Sequence, residues 1–222
     1  MNLVLSIKNW LTTVFGSILF PNSTDILEDS KSFFKRAFFS EVGLLVLYSS
    51  LNLLITYSIN YRQTITANRY YESLFNQQGI SPFLYSMNTY PYVIIWVLFF
   101  ILLFQIYSMT LKFWILRSFT EKNVLFIRVA GMEAVSFSNF ILFLFPVLIY
   151  SKLFPNNYKS NLIPLVLYSS VYFITIFGGM LYYFKSWVRL SKEVFLQPTG
   201  RAVFVCFAPL LLLAFLILWI IS

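Results

Sequence analysis

Residues 91–116 read PYVIIWVLFFILLFQIYSMTLKFWIL, and no charged side chain occurs before Lys112. A helix of about 20 mostly apolar residues crosses a hydrocarbon core of roughly 30 Å, so this run alone is long enough to span a bilayer. Pro91 suits its first turn, where a missing N–H costs nothing. Four other stretches meet the same requirement, at 38–57, 129–150, 162–184 and 202–221. Pro146 falls late in the third span, Pro164 in the first turn of the fourth and Pro209 within the fifth. Membrane helices tolerate such breaks where neighbours resatisfy the backbone. The predicted fold is all-α: a polytopic membrane protein with a bundle of five transmembrane helices.

Composition agrees with that reading. The 222 residues are 59% hydrophobic and 11% charged, with 26 Phe and 15 Tyr. Soluble globular chains hold roughly 45–50% apolar and about 25% charged residues, so a soluble enzyme of this length is excluded. A collagen, a disordered tail and a disulfide scaffold are excluded too, by one Cys, no Gly period and few charges. The absence of His removes the commonest general base and the commonest metal ligand together. There is no P-loop, no dinucleotide fingerprint and no paired Cys, and Cys206 lies alone inside an apolar run. The eight carboxylates fall mostly in loops or surface helices, and none forms an evident dyad. The chain is therefore expected to have no catalytic, cofactor-binding or metal-binding residues.

The net charge of +8 would raise nucleic acid as a partner for a soluble protein. Here the 16 Lys and Arg lie in short segments between apolar runs, where topology signals and contacts with anionic lipid headgroups belong. Membrane lipids are the expected partners, and nucleic acid is not. Counting Lys112, just inside the end of span two, with the segment that follows, basic residues number 4, 2, 4, 2 and 4 in successive flanking segments, with none after the fifth span. By the positive-inside rule the N-terminus is cytoplasmic and the C-terminus external. A bacterial cytoplasmic (inner) membrane is the expected location.

Outside the spans, residues 1–20 place Leu3, Val4, Ile7, Leu11, Val14, Phe15 and Ile18 at helical spacing, with Trp10 beside them. This reads as an amphipathic helix on the cytoplasmic membrane surface. A signal peptide is the competing reading, and Pro21-Asn22 stands where its small-residue cleavage site would be. Ser23 or Thr24 would cap a second short helix, with Asp25, Glu28 and Asp29 in its first turn. Its later residues Phe33 and Phe34 would dip into lipid. Residues 1–37 thus form a surface segment and 38–222 the membrane domain. The polar, Tyr-rich loop 58–90 carries Leu74, Phe75 and Phe83, which would hold it against the membrane surface.

Two acids fall within the spans, Glu41 and Glu133. Each lies about four residues inside its expected span, roughly 6 Å below the boundary. Snorkelling and the positive end of the helix dipole account for both; a functional role is the alternative. Glu133, Ser136 and Asn139 form one polar arc on span three, and Gln105, Ser108 and Lys112 one face of span two. Facing the two stripes would glue the helices together, and a polar conduit is the sharper reading. Lys112 and Glu133 stand at matched depth on neighbours joined by about a dozen residues, so an ion pair between them is predicted. In span four, Ser170, Thr175, Gly178 and Gly179 offer a small surface for close helix packing. Trp96, Trp114, Tyr150, Tyr158, Trp187 and Trp219 lie near span ends, as interface anchors do.

The order of these parts resembles the Yip family of five-span membrane proteins (Ypt/Rab-interacting proteins), in its short prokaryotic form. The resemblance covers most of the chain. It runs from Ile18-Leu19-Phe20-Pro21 and Phe33-Phe34 to the basic loop Arg117-Ser118-Phe119-Thr120-Glu121-Lys122, Val124 and Arg128-Val129. It ends in the last loop, from Leu190-Ser191 to Thr199-Gly200-Arg201-Ala202. Where the family has a proline early in span three, this chain has Ala134-Val135-Ser136-Phe137, and its proline comes at Pro146. The resemblance implies helix-mediated assembly with other membrane proteins. The family's GTPase-binding portion has no evident counterpart in this N-terminal segment, and GTPase binding is not carried over.

Together these observations predict a non-enzymatic multi-pass membrane protein. It would act as an assembly, scaffold or accessory subunit binding lipids, other membrane proteins or further copies of itself. The alternative is a transporter or channel component using the Glu133 face. The charge alternation makes a direct prediction in a Cys206→Ala background. Arg69→Cys should react with an impermeant thiol reagent added outside, and Lys192→Cys should not. Labelling at 192 with none at 69 would reverse the topology.

Overall fold

The computed structural model describes residues 23–120, 124–153 and 162–221. The surface helix expected over residues 1–20 lies outside them. The described chain is 91% helical and contains no strand. In chain order the helices are α1 (Ser23–Glu28), α2 (Ser30–Ile59), α3 (Tyr61–Asn76), α4 (Pro82–Asn88), α5 (Tyr92–Phe119), α6 (Phe126–Leu153), α7 (Leu162–Phe195) and α8 (Thr199–Ile221). Five of them (α2, α5, α6, α7 and α8) are long and apolar enough to cross a membrane. The chain is a multi-pass helical membrane protein.

All five helices overrun the apolar runs that foretell them. Hydropathy stops at the first charge, whereas a helix stops at a breaker. The expected fourth span ends at 184, yet α7 continues through Lys185, Arg189 and Lys192 to Phe195 and ends just before Pro198. Trp187, Leu190 and Val194 recur at helical spacing on that extension and are buried, which gives it a packed face. At the other end, α2 begins at Ser30 rather than 38 because Asp29 Oδ1 accepts the Ser32 amide at 3.0 Å, an N-terminal cap. This corrects two expectations. Residues 30–37 belong to the first long helix rather than to a separate surface helix. Phe33 does not dip into lipid but is 4% exposed, inside the core.

The contacts divide the molecule into two compact units. One comprises Met1–Leu44, described from Ser23, with Gln105–Phe143 and Ile176–Ser222. Its core gathers Ile26, Phe33, Val129, Met132, Trp187, Leu190 and Val205. Every residue of α6 from Val129 to Asn139 is buried. Small side chains make that burial feasible: Ala130, Gly131, Ala134, Ser136 and Ser138 let neighbouring helices come close. Gly131 shows the limit, since a Cβ there would stand 2.8 Å from Cδ1 of the Phe33 ring. Arg128 Nε donates to Ser30 Oγ at 2.9 Å and so ties the start of α6 to the start of α2.

The second unit comprises Leu45–Phe104 and Leu144–Thr175. Its loop between spans is two helices rather than an extended segment. Ser81 caps α4 by accepting the Leu84 amide, and Phe75 of α3 stacks on Tyr85 of α4 with centroids 5.0 Å apart. Asn68 on α3 grips the backbone of Tyr90 from both sides, donating to its carbonyl at 2.7 Å and accepting its amide at 2.9 Å. The Tyr90 hydroxyl donates to Asn52 on α2 at 3.2 Å. No residue of α3 or α4 is buried.

Close approach at Gly131 can be tested by overfilling it. Gly131→Leu should lower stability in detergent by about 1–3 kcal/mol, the usual cost of overpacking. Combined with Phe33→Ala, it should cost less than the sum of the two single losses, as thermal melting would read. Strict additivity would mean that the glycine and the ring do not touch.

Candidate functional site

A buried polar cluster joins α5, α6 and α7 within the first unit. Lys112 and Glu133 are 0% and 1% exposed, and Lys112 Nζ stands 2.7 Å from Glu133 Oε2. The predicted ion pair is present. Its surroundings go beyond the prediction. Tyr183 accepts from Lys112 Nζ at 2.5 Å and donates to Glu133 Oε1 at 2.7 Å. Ser108 donates to the same Oε1 at 2.9 Å. The ammonium also lies over two rings, 4.6 Å from the centroid of Trp187 and 4.9 Å from that of Tyr183.

Each part follows from helical spacing. Ser108 and Lys112 are one turn apart on α5 and reach the same carboxylate. Tyr183 and Trp187 are one turn apart on α7 and cover the same ammonium. The donors and acceptors match: both carboxylate oxygens accept, and the ammonium has two acceptors and aromatic faces. Desolvating an ion pair costs about as much as its attraction returns unless hydrogen bonds complete it. Ser108, Tyr183 and the cation–π contacts supply that completion.

Two members of the predicted polar face turn elsewhere. Ser136 and Asn139 are buried, but they face Ser186 of α7, with Ser136 Oγ at 3.5 Å and Asn139 Nδ2 at 3.4 Å from its hydroxyl. These two residues meet the fourth span, whereas Glu133 at the head of their stripe meets Ser108 of the second. Gln105 is itself buried and stands beside Glu41. Snorkelling fails for both acids. Glu41 is 2% exposed and lies three turns into α2; Glu133 lies two turns into α6. Both carboxyls therefore face protein. Glu41 Oε1 has no hydrogen-bond partner.

Trp187 is a further correction. Placed among the interface anchors by its position near a span end, it is 0% exposed and serves the ammonium. Trp114 and Trp219 are exposed, as anchors are; Tyr158 lies outside the described residues. Of the small residues in span four, Gly179 is buried, and a Cβ there would meet Phe143 Cβ at 2.8 Å and Phe140 at 3.2 Å. Gly178 faces the same Phe143 ring at 3.5 Å. Thr175 bonds its own helix at the Val171 carbonyl, and Ser170 is exposed. The glycines are where the helices close; the hydroxyl residues are not. Tyr183 and Ser186 were not anticipated, although their spacing from Trp187 and Gly179 on α7 marks the same face.

Among the described residues no group of three His, Cys, Asp or Glu side chains is placed to hold a metal ion. No known protein family, curated protein or solved structure matches this chain.

The network predicts an ordered set of losses. Lys112→Met or Glu133→Leu leaves a buried charge alone and should cost about 3–5 kcal/mol. Tyr183→Phe should cost about 1–3 kcal/mol, by removing one donor and one acceptor. Exchanging the charges, Lys112→Glu with Glu133→Lys, should retain more thermal stability in detergent than Lys112→Glu or Glu133→Lys alone. It should still fall short of the native chain, because Ser108 and Tyr183 donate to position 133. A double variant no better than the single ones would remove the pair from the account.

Proposed function

We propose that this chain is a non-enzymatic assembly or accessory subunit of a membrane, binding other membrane proteins or further copies of itself. One observation carries the reading: the most polar face of the bundle is spent internally. Lys112, Glu133 and Ser108 are at most 1% exposed and bonded to one another or to Tyr183. A conduit needs polar groups open to a passing solute, whereas these groups hold helices together.

The outward surface suits partners. On α7 in the second unit, Leu165, Val166, Ser169, Ser170, Phe173 and Ile174 line a groove of about 450 Å³. Small hydroxyl residues flanked by large apolar ones let a neighbouring membrane helix approach closely. The Yip-like order of parts favours the same reading; from the alternation of basic residues we further propose a bacterial inner membrane, with the N-terminus cytoplasmic.

A second reading, a transporter component, rests on Glu41, whose Oε1 is buried without a hydrogen-bond partner. Extraction in a gentle detergent followed by native mass analysis separates the two. The assembly reading expects a companion protein or a second copy, and expects Ser169→Leu with Ser170→Leu to weaken that association. A bare monomer would overturn it. Uptake by the purified chain in liposomes, abolished by Glu41→Gln, would put transport in its place.

A further inference from the structure

Where α7 meets α8 in the first unit there is a groove of about 640 Å³ with two kinds of wall. Leu181, Phe184, Val188, Val203 and Phe207 make its apolar floor. Lys185, Arg189 and Lys192 make its rim, at steps of four and three residues along one face of α7. Glu193 also lines it and lies 4.0 Å from Arg189, both side chains being 43% exposed. Three cations against one carboxylate leave the rim with a surplus of two positive charges. Thr199, the first residue of α8, lines the groove as well, so the positive end of a long helix adds to the same field.

The position of the two walls is fixed by the helices. From Leu162 to Phe184, α7 carries 23 uncharged residues before Lys185. At 1.5 Å per residue these fill about 34 Å, a full hydrocarbon core. On α8 the last charge is Arg201, and 20 uncharged residues follow it to Ile221. Both helices therefore pass from polar to apolar surroundings at the same groove. Its floor lies on the hydrocarbon side and its rim at headgroup level.

We infer that this groove binds one anionic phospholipid, with the phosphate on Lys185, Arg189 and Lys192 and an acyl chain along Leu181, Phe184, Val203 and Phe207. Charge complementarity selects the headgroup: a zwitterionic lipid brings no net charge to a rim with a surplus of two. The apolar floor selects a lipid over a free phosphate, since a soluble anion leaves Phe184 and Phe207 uncovered. Each basic residue near an anionic headgroup strengthens binding roughly fivefold.

Native mass spectrometry of the full-length protein, titrated in detergent with phosphatidylglycerol, phosphatidylcholine or glycerol phosphate, tests the inference. One phosphatidylglycerol should remain bound per chain under conditions that strip phosphatidylcholine, and glycerol phosphate should not displace it. Lys185→Gln should weaken retention roughly fivefold, and the triple change with Arg189→Gln and Lys192→Gln by more than about tenfold. Val203→Trp fills the floor with all three cations in place and should also weaken it. Lys31→Gln with Lys35→Gln, two exposed basic residues outside the groove, should leave it unchanged. Equal retention of phosphatidylcholine, displacement by glycerol phosphate, or indifference to Val203→Trp would overturn the assignment. Lys185 is exposed, so its single substitution tests the rim without challenging the fold; unchanged retention in Lys185→Gln would be equally decisive.

Discussion

The cost of burying charge organises the first unit. Lys112 and Glu133 cannot be solvated by lipid, and neither is exposed enough to reach water. Each must find its partner inside the protein. That requirement fixes α5 against α6 in depth, because a slip of one turn would move the groups about 5.4 Å apart along the axis. The same requirement recruits α7. Tyr183 bridges the ammonium and the carboxylate, and Trp187 shields the ammonium one turn later. Three helices are thus set in register by one pair of charges and two aromatic rings. Apolar contacts alone would not do this, since lipid tails are as apolar as leucine and give helices no reason to choose a register.

Close packing of small residues makes that register attainable. Hydrogen bonds of 2.5–2.9 Å between side chains on three helices require backbones that approach closely. The run from Val129 to Asn139 supplies Ala, Gly and Ser where bulk would hold the helices apart. Large aromatic side chains meet small residues from the facing helix. Phe33 sits on Gly131, and Phe140 and Phe143 sit on Gly179. Glycine on one helix meets a ring from the other in both places, which is how a bundle so rich in Phe stays tightly packed.

The five spans and the Lys112–Glu133 pair were legible in the sequence for the same reason: both depend on distance along a helix. Length, hydropathy and depth are one-dimensional, and a 1.5 Å rise converts residue counts into them. Lateral choices were not legible. The stripe Glu133, Ser136, Asn139 marks a face of α6, but at this spacing the face spreads around the helix. Its first residue meets α5 and its later ones Ser186 of α7. Trp187 read as an anchor because a tryptophan near a span end usually meets headgroups, and only the burial of Lys112 beside it reverses that reading. Helix ends were missed where charge and helix diverge. The last third of α7 is both basic and helical, and a hydropathy window ends at the first of those properties.

The fourth span, α7, shows why that divergence matters. Its first 23 residues, Leu162–Phe184, carry no charge and mostly face outward, as a lipid-facing segment does. Past Lys185 the same helix becomes amphipathic: Ser186, Trp187, Leu190, Ser191 and Val194 turn inward, while Lys185, Arg189 and Lys192 stay exposed. One unbroken helix therefore changes solvent along its length without changing its backbone. The inward face of the extension carries Trp187 to the buried ammonium, and the outward face lines the basic groove with α8. Because the two faces share a rigid helix, the rotation that seats Trp187 over Lys112 also aims the three cations. The charge buried inside the bundle thereby helps set the orientation of the charges displayed outside it.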